Sequence, residues 1–386
     1  MGVLGQSIKR VEDQRFITGK GRYTDDIVLL NMTFATIVRS PHAHANIKGF
    51  DTAAAAAADG VVAVYTGADI AESGIGGLPC GWQVDFKNGD TMLEPAHPVL
   101  AAEKVRHVGD PVTIVIAESR EQAADAAELV KVDYEVLAAV TNATKAIADG
   151  APQIHAEVPN NIPFDWALGD QEAADAAIAG AAHVTTLEFD NQRLIPNAIE
   201  PRCAIGDYDT ASDHYTLYTT TQNPHVIRLL MTAFVLGLPE HKVRVVSTDV
   251  GGGFGSKIPH YAEEALVIWC SNKIGRPIKW TSSRSESFIS DTHGRDHHTK
   301  VELGLDADGN FVGLRVKTVA NLGAYLSTFG PCVPTYLHGT LMQGLYTTPA
   351  IHIGVTAAFT NTTPVDALRG AGRPEATYLI ERVVEQ

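Results

Sequence analysis

Val243 to Lys257 reads VRVVSTDVGGGFGSK, and its interpretation decides how the chain folds. A β-branched run at Val243, Val245 and Val246 stops at Asp249, glycines stand at 251, 252, 253 and 255, and Tyr261 to Ile274 carries apolar residues at helical spacing. The pattern predicts a strand, a glycine turn and a helix. Missing Cβ atoms beside a helix N-terminus let main-chain N–H groups approach an anion closely. Two nucleotide-binding signatures nevertheless fail here. Ser256 precedes Lys257 and Ile258 follows it, so the Gly-Lys-Ser/Thr of a phosphate-transfer loop is absent. A dinucleotide fingerprint starting at Gly251 would need glycine where Ser256 stands. The residues leave a phosphate or oxyanion cradle, or a tight turn packed for its own sake.

A second strand-to-helix junction lies upstream. Tyr215 to Thr221 alternates and is β-branched, so it reads as a strand. The helix after it has Asn223 as cap, Pro224 in its first turn, Gly237 at its exit, and a buried stripe of Ile227, Leu230, Met231 and Phe234. Gln222 sits at that junction. Ligands in α/β sheets gather beyond the carboxyl ends of strands, so Gln222 and the glycine turn are expected to face one crevice. In the helix after the turn, Ala262, Ala265, Leu266, Trp269, Cys270 and Ile274 form an apolar face, with Glu263 and Glu264 suited to the N-terminal dipole. Farther on, Pro277 to Trp280 reads as a strand and Thr299 to Val319 as a hairpin turning at Asp306 to Gly309. In NTTPVDALRGAGRPE (361–375), Gly370 and Gly372 bracket a loop whose Arg369 and Arg373 can offer charge and bidentate donors to an oxyanion. Arg193, Glu200 and Arg202 interrupt an otherwise apolar stretch, as a charged surface loop or as part of a site.

Composition bounds the rest. With 386 residues and 45% apolar content the chain can bury a sizeable core in two or three domains. A formal charge of −15 argues against nucleic acid or an anionic membrane as partner. No apolar run reaches membrane-spanning length and the N-terminus lacks a signal-peptide core, so a cytoplasmic location is expected. Cys80, Cys203, Cys270 and Cys332 are too dispersed for a metal or iron–sulfur site and fit buried reduced thiols. Residues 1 to about 150 alternate short strands (Thr33–Arg39, Val61–Tyr65, Pro111–Ala117, Val132–Val136) with helices, including one over Ser119 to Val130. His42 and His44 would share one face of an extended chain but have no third ligand nearby, and the histidines of HGRDHH (293–298) read better as a polar loop than as a metal cluster. The alanine clusters at 53–58 and 173–182 read as solvated helices. The fold class is α+β, a mixed α/β chain.

Several segments together resemble the large subunit of the molybdenum hydroxylases, the family of xanthine dehydrogenase, aldehyde oxidase and aerobic carbon monoxide dehydrogenase. GGGFGSK matches its GGGFG(G/S)K loop, TQNPH (221–225) its glutamine segment, RLIPNAIEPR (193–202) its RxxPNxxEPR segment, and RGAGRPE (369–375) its RGxGxPE loop. RSPHAHA (39–45) and VRHVGDPV (105–112) resemble the α/β hammerhead domain that opens these subunits. The resemblance covers nearly the whole chain. It implies a hammerhead domain over 1–145, a linker over 146–161, and the first molybdenum-cofactor-binding domain over 162–386. It implies a molybdenum–molybdopterin cofactor of the cytosine dinucleotide form, with the metal held through the pterin and by no side chain. Gln222, Gly252, Gly253, Phe254, Gly255, Arg369 and Gly370 are the residues implied to bind it, with Gln222 and Arg369 also catalytic. The implied partners are an iron–sulfur small subunit carrying [2Fe–2S] clusters, an FAD medium subunit and the C-terminal half of the large subunit.

Two departures narrow the substrate. Purine-oxidising members carry glutamate where Ile258 stands, and carbon monoxide oxidisers carry a copper-holding cysteine where Gly370 stands. The expected reaction is hydroxylation of an aldehyde or N-heterocycle with oxygen from water. The alternatives are a carbon monoxide dehydrogenase-type large chain and a non-catalytic cofactor-binding or interaction chain. The family's GExG glutamate base and QGxGQG segment do not occur in this sequence, and the last helix runs uncapped to Gln386. The expectation is a truncated product or one half of a split subunit, inactive alone.

Overall fold

Val243–Ser247 is a strand, as its β-branching predicts, and it forms one edge of a seven-stranded mixed sheet in the computed structural model, which describes residues 3–386. From that edge the order is Val243–Ser247, His214–Thr219, Cys203–Asp209, Ile278–Thr281, Thr33–Arg39, Pro111–Ala117 and Val61–Thr66. The first two strands are parallel, with Tyr215 opposite Val243 and Thr219 opposite Ser247. Parallel neighbours end on the same side of a sheet, so Gln222 and the glycine turn emerge together. The sheet is also continuous between the two halves of the sequence, because Thr33–Arg39 lies parallel beside Ile278–Thr281.

A five-stranded sheet of Asp165–Gly169, Ala350–Phe359, Phe311–Gly323, His297–Leu305 and His183–Asn191 contains the predicted hairpin. The C-terminal helix Arg373–Glu385 buries Leu379, Ile380 and Val383 in the core of this part. A small sheet of Lys104–Val105, Ala45–Asp51 and Lys131–Val136 completes the N-terminal half. The helix Arg120–Ala127 starts after Ser119, whose hydroxyl accepts the N–H of Gln122. Among the described residues, no helix is long and apolar enough to cross a membrane.

Three local expectations are corrected. Phe234 is 56% exposed and Val235 is 1% exposed, because the helix Pro224–Leu230 runs into a π-helical segment, Met231–Leu236. A π turn takes in an extra residue, which moves the buried stripe along by one. The helix Ala262–Ile274 is buried on all sides from Ala262 to Ser271, so Glu263 and Glu264 lie inside the protein and do not complement the dipole from its surface. Finally, the chain bends at 41–44 instead of extending: His44 is buried with Nδ1 on the Ala138 carbonyl at 2.7 Å, while His42 meets the edge of Tyr134. Of the HGRDHH histidines, His297 is buried and His298 pairs with Glu188 and Asp190. No group of three metal-ligating side chains occurs among the described residues, and the four cysteines are free and buried.

Candidate active site

The glycine turn is fixed by its neighbours at almost every residue. Gly251 donates its N–H to Oε2 of Glu200 at 2.6 Å, and Gly255 donates to Oε1 of Gln222 at 3.0 Å. Arg369 donates its main-chain N–H to the Phe254 carbonyl at 2.8 Å, which seats the 366–372 loop against the turn. That approach depends on a glycine: Gly255 has φ +104°, and a Cβ there would lie 2.1 Å from the Ala367 carbonyl oxygen. Glycine 253 serves a different neighbour. Its absent Cβ makes room for the Gln222 amide, which would otherwise stand 2.2 Å away.

Between these anchors, the N–H groups of Gly252, Gly253 and Phe254 donate to no protein group among the described residues. Gln222 is oriented by the same contacts. Its carbonyl oxygen must accept from Gly255, so its Nε2 is the atom left over, and that nitrogen has no partner among the described residues. Gln222 is exposed at the crevice, and its own main-chain N–H donates to the Lys257 carbonyl at 2.8 Å. The Arg369 side chain is exposed, forms no ion pair among the described residues, and lies 5.9 Å from the Phe254 ring centre. The residues implied by sequence therefore lie together, and the hydrogen-bond donors left free among them gather on one side of the turn.

The charged residues around it face inward and lock the scaffold. Lys257 is buried with Nζ on the Glu200 carbonyl at 2.8 Å and on Oε2 at 2.9 Å; burial lowers its pKa while Glu200 opposes the shift. Arg202 stacks 3.7 Å from the Tyr261 ring centre and pairs with Glu263 at 2.7 Å and Asp291 at 2.6 Å. Arg39, from the N-terminal half, reaches the same Glu263 and also Glu286 at 2.7 Å. Burial raises the Glu263 carboxyl, but Arg202 and Arg39 outweigh it and hold the group at about 2. Arg193 pairs with Asp296 at 2.7 Å.

One expectation fails at this site. The N-terminus of Ala262–Ile274 is not open to an anion, because its first turn is filled by its own acid: Glu264 accepts the Tyr261 N–H at 3.1 Å and contacts His260 Nδ1 at 2.9 Å. The free amides belong to the turn itself. Arg373 is likewise turned onto its own loop, donating to the Gly370 carbonyl at 3.2 Å. Sequence reasoning missed Arg295, which braces the arginine loop by donating to the Leu368 and Arg369 carbonyls, both at 3.1 Å, and pairs with Glu375 at 3.0 Å. Its only signal was an arginine inside the histidine-rich 293–298 stretch.

A hammerhead-type first half leading into a domain with a donor-lined glycine crevice defines a class, the molybdopterin-binding large chains, and comparison with known proteins agrees. Residues 154–386 match the molybdopterin cofactor-binding domain, and residues 18–138 match the aldehyde oxidase and xanthine dehydrogenase a/b hammerhead domain. The chain belongs to this molybdopterin-binding family of molybdenum hydroxylase large subunits. It is 35% identical to the carbon monoxide dehydrogenase large chain of Afipia carboxidovorans over 99% of its own length and 48% of that chain. It is 33% identical to the nicotine 6-hydroxylase large subunit of Paenarthrobacter nicotinovorans, over 99% and 46% respectively. Among solved structures, carbon monoxide dehydrogenase from Oligotropha carboxidovorans superposes with a TM-score of 0.89 at 34% identity, covering 99% of this chain and 48% of that one. Quinoline 2-oxidoreductase from Pseudomonas putida 86 gives 0.89 at 33% identity, covering 98% and 49%. The chain thus spans about half the length of the relatives it matches.

Proposed function

We propose that the crevice between Gln222, the 251–255 turn and the 366–372 loop holds a molybdenum–molybdopterin cofactor in its cytosine dinucleotide form. The chain then acts as the cofactor-binding part of a cytoplasmic oxidoreductase that hydroxylates an aldehyde or N-heterocycle, working with a [2Fe–2S] small subunit and an FAD medium subunit. The observation that carries this reading is the convergence of five donors without a partner among the described residues: the N–H groups of 252, 253 and 254, Gln222 Nε2 and the Arg369 guanidinium. Such a set fits a group rich in anionic oxygens, and no unpaired carboxylate from Glu200, Glu263 or Glu375 opposes it.

When bound, the cofactor supplies the oxidising centre, and the protein supplies position and charge. Gln222 Nε2, its carbonyl held by Gly255, is poised to donate to an oxygen of the group. The three amides are fixed before any ligand arrives, so they need no reorganisation as negative charge develops. Arg369 adds a permanent positive charge at the mouth, seated by its own main-chain bond to Phe254. Position 370 carries no thiol and Ile258 no carboxylate, which supports an aldehyde or heterocycle over carbon monoxide or a purine.

The test is to produce the chain with its partner subunits and measure molybdenum, CMP released by acid hydrolysis, and turnover of aldehydes and N-heterocycles with a dye acceptor. Molybdenum and CMP in equal amounts with turnover are expected. Absence of molybdenum would overturn the reading, and molybdenum without turnover on any substrate would leave a binding chain in its place.

A further inference from the structure

Asp249, just ahead of the first glycine, is tied to a part of the chain remote in sequence. Its carboxylate accepts both guanidinium branches of Arg15 and the main-chain N–H of Arg22, the latter at 2.8 Å. Its own N–H donates to the Arg22 carbonyl at 3.1 Å, so that residues 22–23 lie beside 249 as a parallel β-bridge. Thr24 and Thr248 share a hydroxyl contact at 2.9 Å. The Asp249 side chain is 11% exposed and Arg15 is 41% exposed, so the fork sits half-screened at the surface.

These contacts fall between the strand end, where the Ser247 hydroxyl donates to the Thr221 carbonyl at 2.7 Å, and Gly251, which Glu200 holds. Past Gly251 it is held by Glu200, Gln222 and the arginine loop, all of which border the crevice. Between the end of the strand at Ser247 and Gly251, the main chain's bonds to other segments, among the described residues, run to the N-terminal segment through Asp249, whose carbonyl also accepts the neighbouring Thr248 hydroxyl at 3.4 Å. Val250 and Gly251 separate this point from the free amides of 252–254, and Glu200 holds Gly251 at both its N–H and its carbonyl, so Asp249 and Glu200 together fix the place and angle at which the turn begins.

We propose that Asp249, clamped by Arg15 and Arg22, is a positioning residue that sets the three free amides of the glycine turn for the cofactor. This rests on the cofactor reading above. A planar guanidinium fixes a carboxylate in orientation as well as charge, which a lysine cannot do, and this suits a device whose task is angle.

The experiment uses the complete enzyme with its partner subunits. Asp249→Asn and Arg15→Gln are each expected to lower molybdenum and pterin content about tenfold, with far-UV circular dichroism and melting temperature at wild-type values. In the fraction that loads, the paramagnetic resonance spectrum of the molybdenum should shift, which a general loss of stability would not produce. The double variant should fall no lower than the worse single one, because both remove one interaction. Arg15→Lys should recover only part of the loss. Full loading of Asp249→Asn with an unshifted spectrum, or additive losses in the double variant, would overturn the proposal. If wild-type enzyme holds no molybdenum, the cofactor reading itself fails. If Gly253→Val loses the metal while Asp249→Asn keeps it, only the clamp fails.

Discussion

Gln222 has one half of its amide engaged and the other half free, and the chemistry of the crevice depends on that split. Because Gly255 N–H takes the oxygen at 3.0 Å, Nε2 is presented in one orientation without having to be selected on binding. Gln222→Ala should leave the fold and metal content intact and lower kcat by roughly 100-fold, the usual cost of losing one donor to developing charge. Steady-state kinetics on fully loaded enzyme checks it. Gly253→Val acts through the same side chain. Its Cβ would collide with the Gln222 carbonyl at 2.2 Å, so the glutamine is pushed toward the cofactor's place and loading should fail. Molybdenum content is the readout, and Gly253→Ala should load better in a Gln222→Ala background than in wild type, since the colliding atoms are gone. That these residues come together was legible from the sequence because each carries its own mark: four glycines in five positions, a glutamine before the Asn-Pro that opens a helix, arginines flanking glycines. The Asn223 side chain, read as the cap of that helix, makes no capping bond. What Gly253 is for was not legible, since which neighbour fills the space over a glycine is decided by another strand end.

At the scale of elements, the helix Ala262–Ile274 joins the two halves of the protein. Glu263 in its first turn receives Arg202 from the segment leading to the glycine crevice and Arg39 from the N-terminal strand. Glu263→Gln would leave two buried guanidinium groups relying on Asp291 and Glu286. The expected loss is about 3 kcal/mol at neutral pH, the lower end for breaking a buried pair because those partners remain. The pH dependence follows from the depressed carboxyl. Its contribution is complete above the unfolded value of 4.5 and is lost as pH falls toward about 2, so the gap between variant and wild type should close over that interval. Thermal unfolding of both proteins across that range measures it. Element boundaries were largely readable, since β-branching, Ser119 and Gly237 mark them. The π turn after Leu230 was not: a helical stripe read at the ordinary period puts Phe234 inside, and only packing shows that Val235 takes its place. The buried acids were missed for a similar reason, as their arginine partners lie far away in sequence.

For the whole molecule, three glutamates around the crevice are each held by a cation, and Asp366 in the arginine loop accepts the Phe329 and Ala367 N–H groups. Glu200 serves Gly251 and Lys257, Glu263 serves two arginines, and Glu375 pairs with Arg295. Each is anchored through an ion pair, while Glu200 Oε1 and Glu375 Oε2 are buried without a partner among the described residues, so a role as base would require either group to reach the reacting atoms from a pinned position. Residues 1–386, reconstituted with cofactor and assayed on aldehydes and N-heterocycles with a dye acceptor, should therefore show no turnover above cofactor alone. Steady turnover would mean that one of these carboxylates serves as the base. The two-part organisation was visible in the sequence, but the sheet that both parts share was not, because strand order between distant segments leaves no local pattern.

That shared sheet also limits how such a chain can be rearranged over evolutionary time. A recombination event that exchanged the first 145 residues for those of a distant relative would import three strands, Thr33–Arg39, Pro111–Ala117 and Val61–Thr66, into a ladder begun by another lineage. The graft would have to reproduce the pairing of Thr33 with Ile278 and bring an arginine to the place of Arg39. The two halves are therefore expected to be inherited together, and chimaeras should succeed when the crossover keeps both sides of that strand pair from one parent.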